Sequence, residues 1–230
     1  MSAVKLPVQT GSRMNYRVCE SAVEQLVIAG WTGRNPAVVE AHIQELEALG
    51  VARPASTPIF YRVAASRLTT RSAIQVSGQR SSGEVEFVLL QQDGELWIGV
   101  GSDHTDREVE TYGVTVSKQM CEKPVAPDVW RYEDVADHWD ALTLRSSIVE
   151  NGCKILYQEG KVSDILHPDD LISRFAGQKT LPEGAVMFCG TLPVLGKVRP
   201  AVRFEFELDD PVSGAKLAHG YEIKTLPIVG

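Results

Sequence analysis

The 230-residue sequence contains no apolar run near the ~18 residues a membrane-spanning helix needs, so helical membrane insertion is not expected. Its first residues, MSAVKLPVQTGSRMNYR, lack the apolar centre of a secretory leader, and a cytoplasmic protein is expected. Cysteine is sparse and scattered: Cys19, Cys121, Cys153 and Cys189 form no CxxC pair and no zinc-like spacing. They read as reduced thiols, not as a disulfide framework or a soft-metal site. Basic residues are outnumbered, 23 against 30 acidic, giving a net charge of −7 with no basic cluster. A nucleic-acid partner, which needs a basic face, is thereby disfavoured. No repeat and no low-complexity tract is present, which leaves one large globular domain or a domain with a small appendage.

What remains is a chain rich in short β signals. The N-terminal 50 residues read as a loose lead-in, a strand at 23–33 and then NPAVVEAHIQELEALG. Asn35 suits an N-cap, Pro36 the first helical turn, and Gly50 the position just past the end. Val39, Ile43 and Leu46 share one stripe of that helix, and His42 and Glu45 form an i, i+3 polar pair beside it. Beyond 50, STPIFYRVA, ASRLTT and AIQVS read as strands or connections. GEVEFVLLQ and ELWIGVG flank an Asp93-Gly94 turn, a strong hairpin signal. ETYGVTVSKQM reads as a further strand, 131–142 as helical, and KILYQEGKVS as a hairpin turning at Glu159-Gly160. HPDDLISRFAGQ reads as a short capped helix, and GAVMFCGT and VRFEFELDD as strands. Many short strands with few helices predict a β-rich α+β fold.

One stretch carries chemistry. In SGEVEFVLL, period two sends Glu84 and Glu86 to one face of a strand, their Cα atoms roughly 6–7 Å apart. Two like charges at that spacing suit either a solvated sheet edge, polar out and apolar in, or a shared cation. A cation held between them would remove the like-charge penalty, and oxygen donors of this kind suit a hard divalent ion.

Read in order, several segments resemble the fumarylacetoacetate hydrolase superfamily. Gly33-Arg34-Asn35 leading to a helix with His42 and Glu45 is similar to that family's Gly-Arg-Asn stretch and His-x-x-Glu helix. PASTPIFYR, at 54–62, resembles its Pro-x-x-Pro-x-x-Phe segment, and GEVEFVLL its Glu-x-Glu strand. SDHTDREVE resembles its Asn-Asp-Val-Ser-Ala-Arg-Asp stretch, SKQMCEKPVAP its Ala-Lys-Gly-Phe-Asp stretch, and LPEGAVMFCGTLP its closing Gly-Asp-x-Ile-x-x-Gly-Thr-Pro. The likeness runs over about residues 24–230.

The resemblance implies a β-rich mixed-sheet roll with a few short helices, divided into a lead-in with a lid-like helix (1–50) and a catalytic domain (51–230). It implies a divalent cation, Mg²⁺ first and Mn²⁺ or Ca²⁺ as alternatives, held by Glu84, Glu86 and Asp103. Asp106, three positions after Asp103, is a rival to it as an acidic ligand. His42, oriented by Glu45, becomes the water-activating base. Lys118 becomes the oxyanion stabiliser, and Arg107, Glu110 and Thr191 line the substrate. A homodimer acting on a small carboxylate substrate is implied. The reaction would be carbon–carbon cleavage of a 2-oxo or β-diketo acid, with tautomerisation, hydration or plain ligand binding as rivals.

This chain departs from the pattern in four places. The spacer before His42 is longer, and the gap from Glu86 to Asp103 is shorter, as though the Asp93-Gly94 hairpin replaced a helix. Glu110 stands where glutamine is usual, an added negative charge that would disfavour an anionic group, and Arg62 stands where lysine is usual. Should the dyad not serve, the base would be sought at His104 or Glu110. His138, His167, His219 and Cys189 read as structural residues.

Overall fold

The computed structural model describes residues 8–10, 13–48 and 53–229. Gly50, expected beyond the end of the first helix, and most of the first twelve residues lie outside that set, as does the side chain of Leu46.

Two sheets face each other across the main core. The larger has eight strands in the spatial order Val8–Thr10, Arg13–Arg17, Asp128–Arg131, Glu95–Ser102, Val85–Gln92, Ala185–Thr191, Gln25–Gly30 and Ile59–Val63. The smaller runs Cys153–Lys161, Thr143–Glu150, Arg203–Asp210, Ala215–Leu226 and Ala73–Ser77. Phe204, Phe206 and Leu208 alternate into the space between them and meet Val85, Phe87, Trp139 and Tyr157. The alternation of VRFEFEL therefore serves the core. A second apolar cluster, with Leu26, Ile28, Val88, Leu90, Trp97, Val186 and Phe188, covers the other face of the large sheet.

That second cluster explains why the Glu-x-Glu strand is no solvated edge. Every residue of Val85–Gln92 is buried, because the strand lies between Glu95–Ser102 and Ala185–Thr191 with both faces covered. The expected hairpin is present, with Asp93 and Gly94 at φ 55° and 76°, the pair of positive values a tight primed turn requires. Gln25–Gly30, from the lead-in, is an interior strand between Ala185–Thr191 and Ile59–Val63. The helix that follows it, Pro36–Ala48, lies on the surface, and Ile43 is its one side chain shown as buried.

Three local expectations are corrected. The segment ETYGVTVSKQM forms a helix at Val114–Met120, not a strand. Gly113 opens it, and burial of Ser117 and Lys118 on one side outweighs the β-branched run that suggested extension. Residues 131–142 are not an α-helix but two short 3-10 turns, Tyr132–Asp134 and Ala136–Ala141, after the strand Asp128–Arg131. Burial of Trp130 and Trp139, with a kink at His138 (φ −131°), sets that path. The hairpin expected at Glu159-Gly160 turns instead at Asn151-Gly152, whose φ values of 51° and 77° fit a primed turn. Glu159 and Gly160 are paired strand residues opposite Arg145 and Leu144. The short helix Pro168–Ala176 is capped as expected, with His167 accepting from the Asp169 N–H at 3.4 Å.

Candidate metal centre

The hairpin register assembles the carboxylates. Val85 pairs with Ser102 and Glu86 with Gly101, so Asp103 lies just past the end of the partner strand, opposite Glu84. Its N–H donates to the Glu84 carbonyl at 3.0 Å. Glu84, Glu86 and Asp103 each offer a carboxylate oxygen within 4.8 Å of the others; Glu86 and Asp103 are buried and Glu84 partly so. Asp106 lies outside this group. It caps the helix Arg107–Glu110, accepting from the Glu108 and Val109 N–H groups at 3.0 Å.

Glu86 is fixed by a bulge. The pairing of Ala185–Thr191 with Val85–Gln92 shifts register between Phe188 and Thr191. Gly190, at φ 100°, turns its N–H onto Glu86 Oε2 at 2.7 Å. A bulge leaves a residue out of the ladder, which frees its backbone N–H for such a partner. Thr191 holds the bulge: its hydroxyl donates to the Val85 carbonyl and accepts from Gln158 Nε2, both at 2.8 Å.

Three cations answer the acids. Lys118, brought in by its helix, pairs with Asp103 Oδ2, and Lys123 Nζ lies 2.8 Å from Asp103 Oδ1. Arg107 reaches Glu84 Oε1 at 3.1 Å, Glu110 Oε2 at 2.9 Å and Ser82 Oγ at 2.7 Å. Glu110 is thus charge-paired, which offsets the repulsion its side chain would exert on an anionic ligand. Burial drives Glu86 well above the usual carboxylate range, and the charge of Asp103 adds to this. Burial would raise Asp103 as well, but Lys118 and Lys123 hold it far below its ordinary value. Lys118, despite burial, is raised by Asp103 and Glu84, whereas burial lowers Lys123.

The donor set fits a divalent cation. Four carboxyl groups, Glu84, Glu86, Asp103 and Glu110, face three cations here. Carboxylate oxygens alone, without His or Cys, suit a hard ion such as Mg²⁺, Mn²⁺ or Ca²⁺. Glu84, Glu86 and Asp103 are the residues that could hold it. With a divalent ion bound and all four carboxylates ionised, the cluster would carry one net positive charge, the sign that suits a carboxylate ligand.

His42 and Glu45 lie on the surface helix, Nδ1 to Oε2 3.6 Å apart, with side chains 60% and 77% exposed. The helix joins the cluster through aromatics. The His42 ring sits 5.7 Å from that of Trp31, Trp31 hydrogen-bonds Tyr61, and Lys118 Nζ lies 5.8 Å from the Tyr61 ring centroid. Trp31 takes a φ of 58°, rare for a bulky residue. Its neighbour Thr32 lies against Gly190 so closely that a Cβ there would meet Thr32 Oγ1 at 1.8 Å. Arg62 is exposed, stacking over Phe175 at 5.8 Å and bonding Gln25 at 3.1 Å.

His104, the fallback base, is sealed. Its ring nitrogens bond Tyr221 Oη at 2.8 Å and Ser81 Oγ at 2.9 Å. Burial, then the charges of Lys123 and Arg107, lower it to about 3, so it stays neutral and engaged. His138 bonds Asp210 at 3.0 Å and His219 the Arg71 carbonyl at 3.2 Å. Cys189 is buried, and burial pushes its thiol well up. Sequence reasoning missed Lys123, Trp31, Tyr61 and Gly190. A lysine just before Pro124 and a tryptophan between Gly30 and Gly33 were the available signals.

Solved structures share this fold. A yeast protein, ynq8, of the fumarylacetoacetate hydrolase family matches with a TM-score of 0.65 at 17% identity, over 91% of this chain and 96% of that one. A putative HpcE protein from Mycobacterium smegmatis matches at 0.65 and 18%, over 96% and 80%. A 2-keto-3-deoxy-D-arabinonate dehydratase complexed with magnesium and 2,5-dioxopentanoate matches at 0.62 and 16%, over 94% and 77%. The architecture is therefore a β-rich α+β fold shared with solved fumarylacetoacetate hydrolase family proteins. By family-model match the chain belongs to the family described as "Protein of unknown function (DUF2848)", which matches residues 29–221. No curated protein matches the sequence.

Proposed function

We propose that this protein is a divalent-metal-dependent enzyme that cleaves a carbon–carbon bond in a small 2-oxo or β-diketo acid, as an acylpyruvate hydrolase or oxaloacetate decarboxylase does. The observation that carries the reading is the convergence of Glu84, Glu86 and Asp103 beside two buried lysines. A divalent cation at that centre would supply Lewis-acid stabilisation of the enolate that forms as the bond breaks. Lys118 stabilises the developing oxyanion. Arg107 keeps Glu84 in place and, with Glu110 and Thr191, borders the substrate. His42, oriented by Glu45, activates water or moves a proton, and its helix acts as a lid ordering over substrate.

A second reading has a specific support. Two relatives of this fold are described as a 2-keto-3-deoxy-D-arabinonate dehydratase and a 2-hydroxyhepta-2,4-diene-1,7-dioate isomerase. The same centre would then shift a proton or eliminate water without breaking a carbon–carbon bond. Metal-dependent turnover of a panel of acylpyruvates, oxaloacetate and sugar-derived 2-oxo acids decides between them by the product released. A protein that gains thermal stability with metal and ligand yet releases no product is a binder, and neither reading survives. We also propose a cytoplasmic homodimer, which light scattering giving 25.2 kDa at micromolar concentration would refute.

A further inference from the structure

The two lysines on Asp103 are held in different ways. Lys123 lies on the two-residue strand Lys123–Pro124, which pairs with Leu68–Thr69. Its chain is pinned again two residues on, where Val125 bridges Gly101 and Ala126 donates to the Val100 carbonyl at 2.8 Å. The side chain has no exposed surface and two acceptors, Asp103 Oδ1 and the His104 carbonyl. Its position is over-determined. Lys118 is different. It projects from the seven-residue helix Val114–Met120, keeps 8% of its side chain exposed, and among the described residues has Asp103 Oδ2 as its one hydrogen-bonded partner. Its other neighbour is the face of Tyr61, a contact a lysine keeps while its ammonium moves.

The oxygens of Asp103 are divided accordingly. Oδ1 faces the fully buried Lys123, and Oδ2 faces Lys118 on its short helix. A cation bound between Glu84, Glu86 and Asp103 needs one oxygen from Asp103, and like charge disfavours an ammonium left on that same oxygen.

Resting on the cation site proposed above, we propose that Lys118 is the exchangeable partner of Asp103. It gives up Oδ2 when a divalent cation enters and is thereby freed to meet the substrate. Lys123 stays on Oδ1 as the positioning residue that keeps Asp103 aimed. The ion pair between Lys118 and Asp103 is then a resting contact that competes with the cation, and loading the centre arms the lysine.

The test is Mn²⁺ and Mg²⁺ binding followed by calorimetry on the full-length protein, with no turnover required. Lys118→Met removes the competing ammonium while keeping the stem, and should tighten Mn²⁺ binding by about tenfold or more. Lys123→Met should give no such gain, because Asp103 loses its clamp along with the charge. Equal tightening in both variants would overturn the proposal, since the lysines would then act only as bulk positive charge. So would weaker binding in Lys118→Met. If Lys123→Met does not fold, a crystal structure of the Mn²⁺-loaded parent decides. Lys123 should remain within hydrogen-bond distance of Oδ1 and Lys118 lie beyond it from Oδ2; the reverse arrangement refutes the assignment. A parent protein that binds neither ion sinks the cation site itself, an outcome separate from an unchanged Lys118→Met affinity.

Discussion

Gly190 donates its N–H to Glu86 Oε2 at 2.7 Å, and it does so from a backbone φ of 100° with Thr32 pressed against its α-carbon. The position has no room for a side chain and no comfortable conformation for one. Gly190→Ala should therefore destabilise the fold by on the order of 1–3 kcal/mol, measured by denaturant unfolding. It should also weaken any metal-induced stabilisation, because Glu86 loses its donor. Adding Thr32→Ala, which removes the hydroxyl the new Cβ meets, should recover part of the loss in a double-mutant cycle. An alanine tolerated without cost would mean that the bulge relaxes freely and does not position Glu86.

Glu86 is the most deeply placed glutamate of the centre. A ligand that binds only the native state raises the melting temperature, so Mg²⁺ or Mn²⁺ should stabilise the parent protein. Glu86→Ala should abolish that response. A variant whose melting temperature still climbs with metal as the parent's does would locate the site elsewhere.

The dyad lies on a surface helix whose polar side chains are largely exposed. If His42 activates water, His42→Ala lowers turnover on the order of 10²–10⁴-fold with metal affinity nearly unchanged. Glu45→Gln is milder, because an amide still orients the ring. Turnover that survives His42→Ala would reduce the pair to a surface contact. A base would then be needed at Glu110, since His104 is locked between Ser81 and Tyr221.

Acid stability has a defined contributor far from the centre. Burial would raise Asp210, but the hydroxyl of Ser213, His138 and the N–H groups of Val212 and Ser213 hold it at about 2, against an ordinary 3.8. A carboxylate with a depressed folded value stabilises the fold above its unfolded value, and that contribution disappears as pH falls through the folded one. The window is therefore from about pH 4 down to about pH 2, and the loss about 2 kcal/mol. Asp210→Asn should flatten the stability profile in that window, as followed by urea unfolding at stepped pH. An unchanged slope would assign the acid sensitivity to other groups.

The sequence by itself determined the class of fold and the carboxylate set. Period two put Glu84 and Glu86 on one face, the family resemblance pointed to Asp103, and the Asp93-Gly94 hairpin carries the register that sets Asp103 opposite Glu84. Periodicity and turn chemistry are local rules, and local rules survive in a sequence. Tertiary structure decided the rest. The helix Val114–Met120 carries a β-branched run that reads as extended, and burial of Ser117 and Lys118 overrode it. Glu159-Gly160 looked like a turn, yet Asn151-Gly152 supplied the positive φ pair while Gly160 was drawn into the strand beside Leu192. The resemblance to a known family singled out Lys118, but nothing in the sequence placed Lys123 on the same aspartate. Its position depends on the parallel pairing with Leu68–Thr69, a contact between segments more than fifty residues apart that no local pattern encodes.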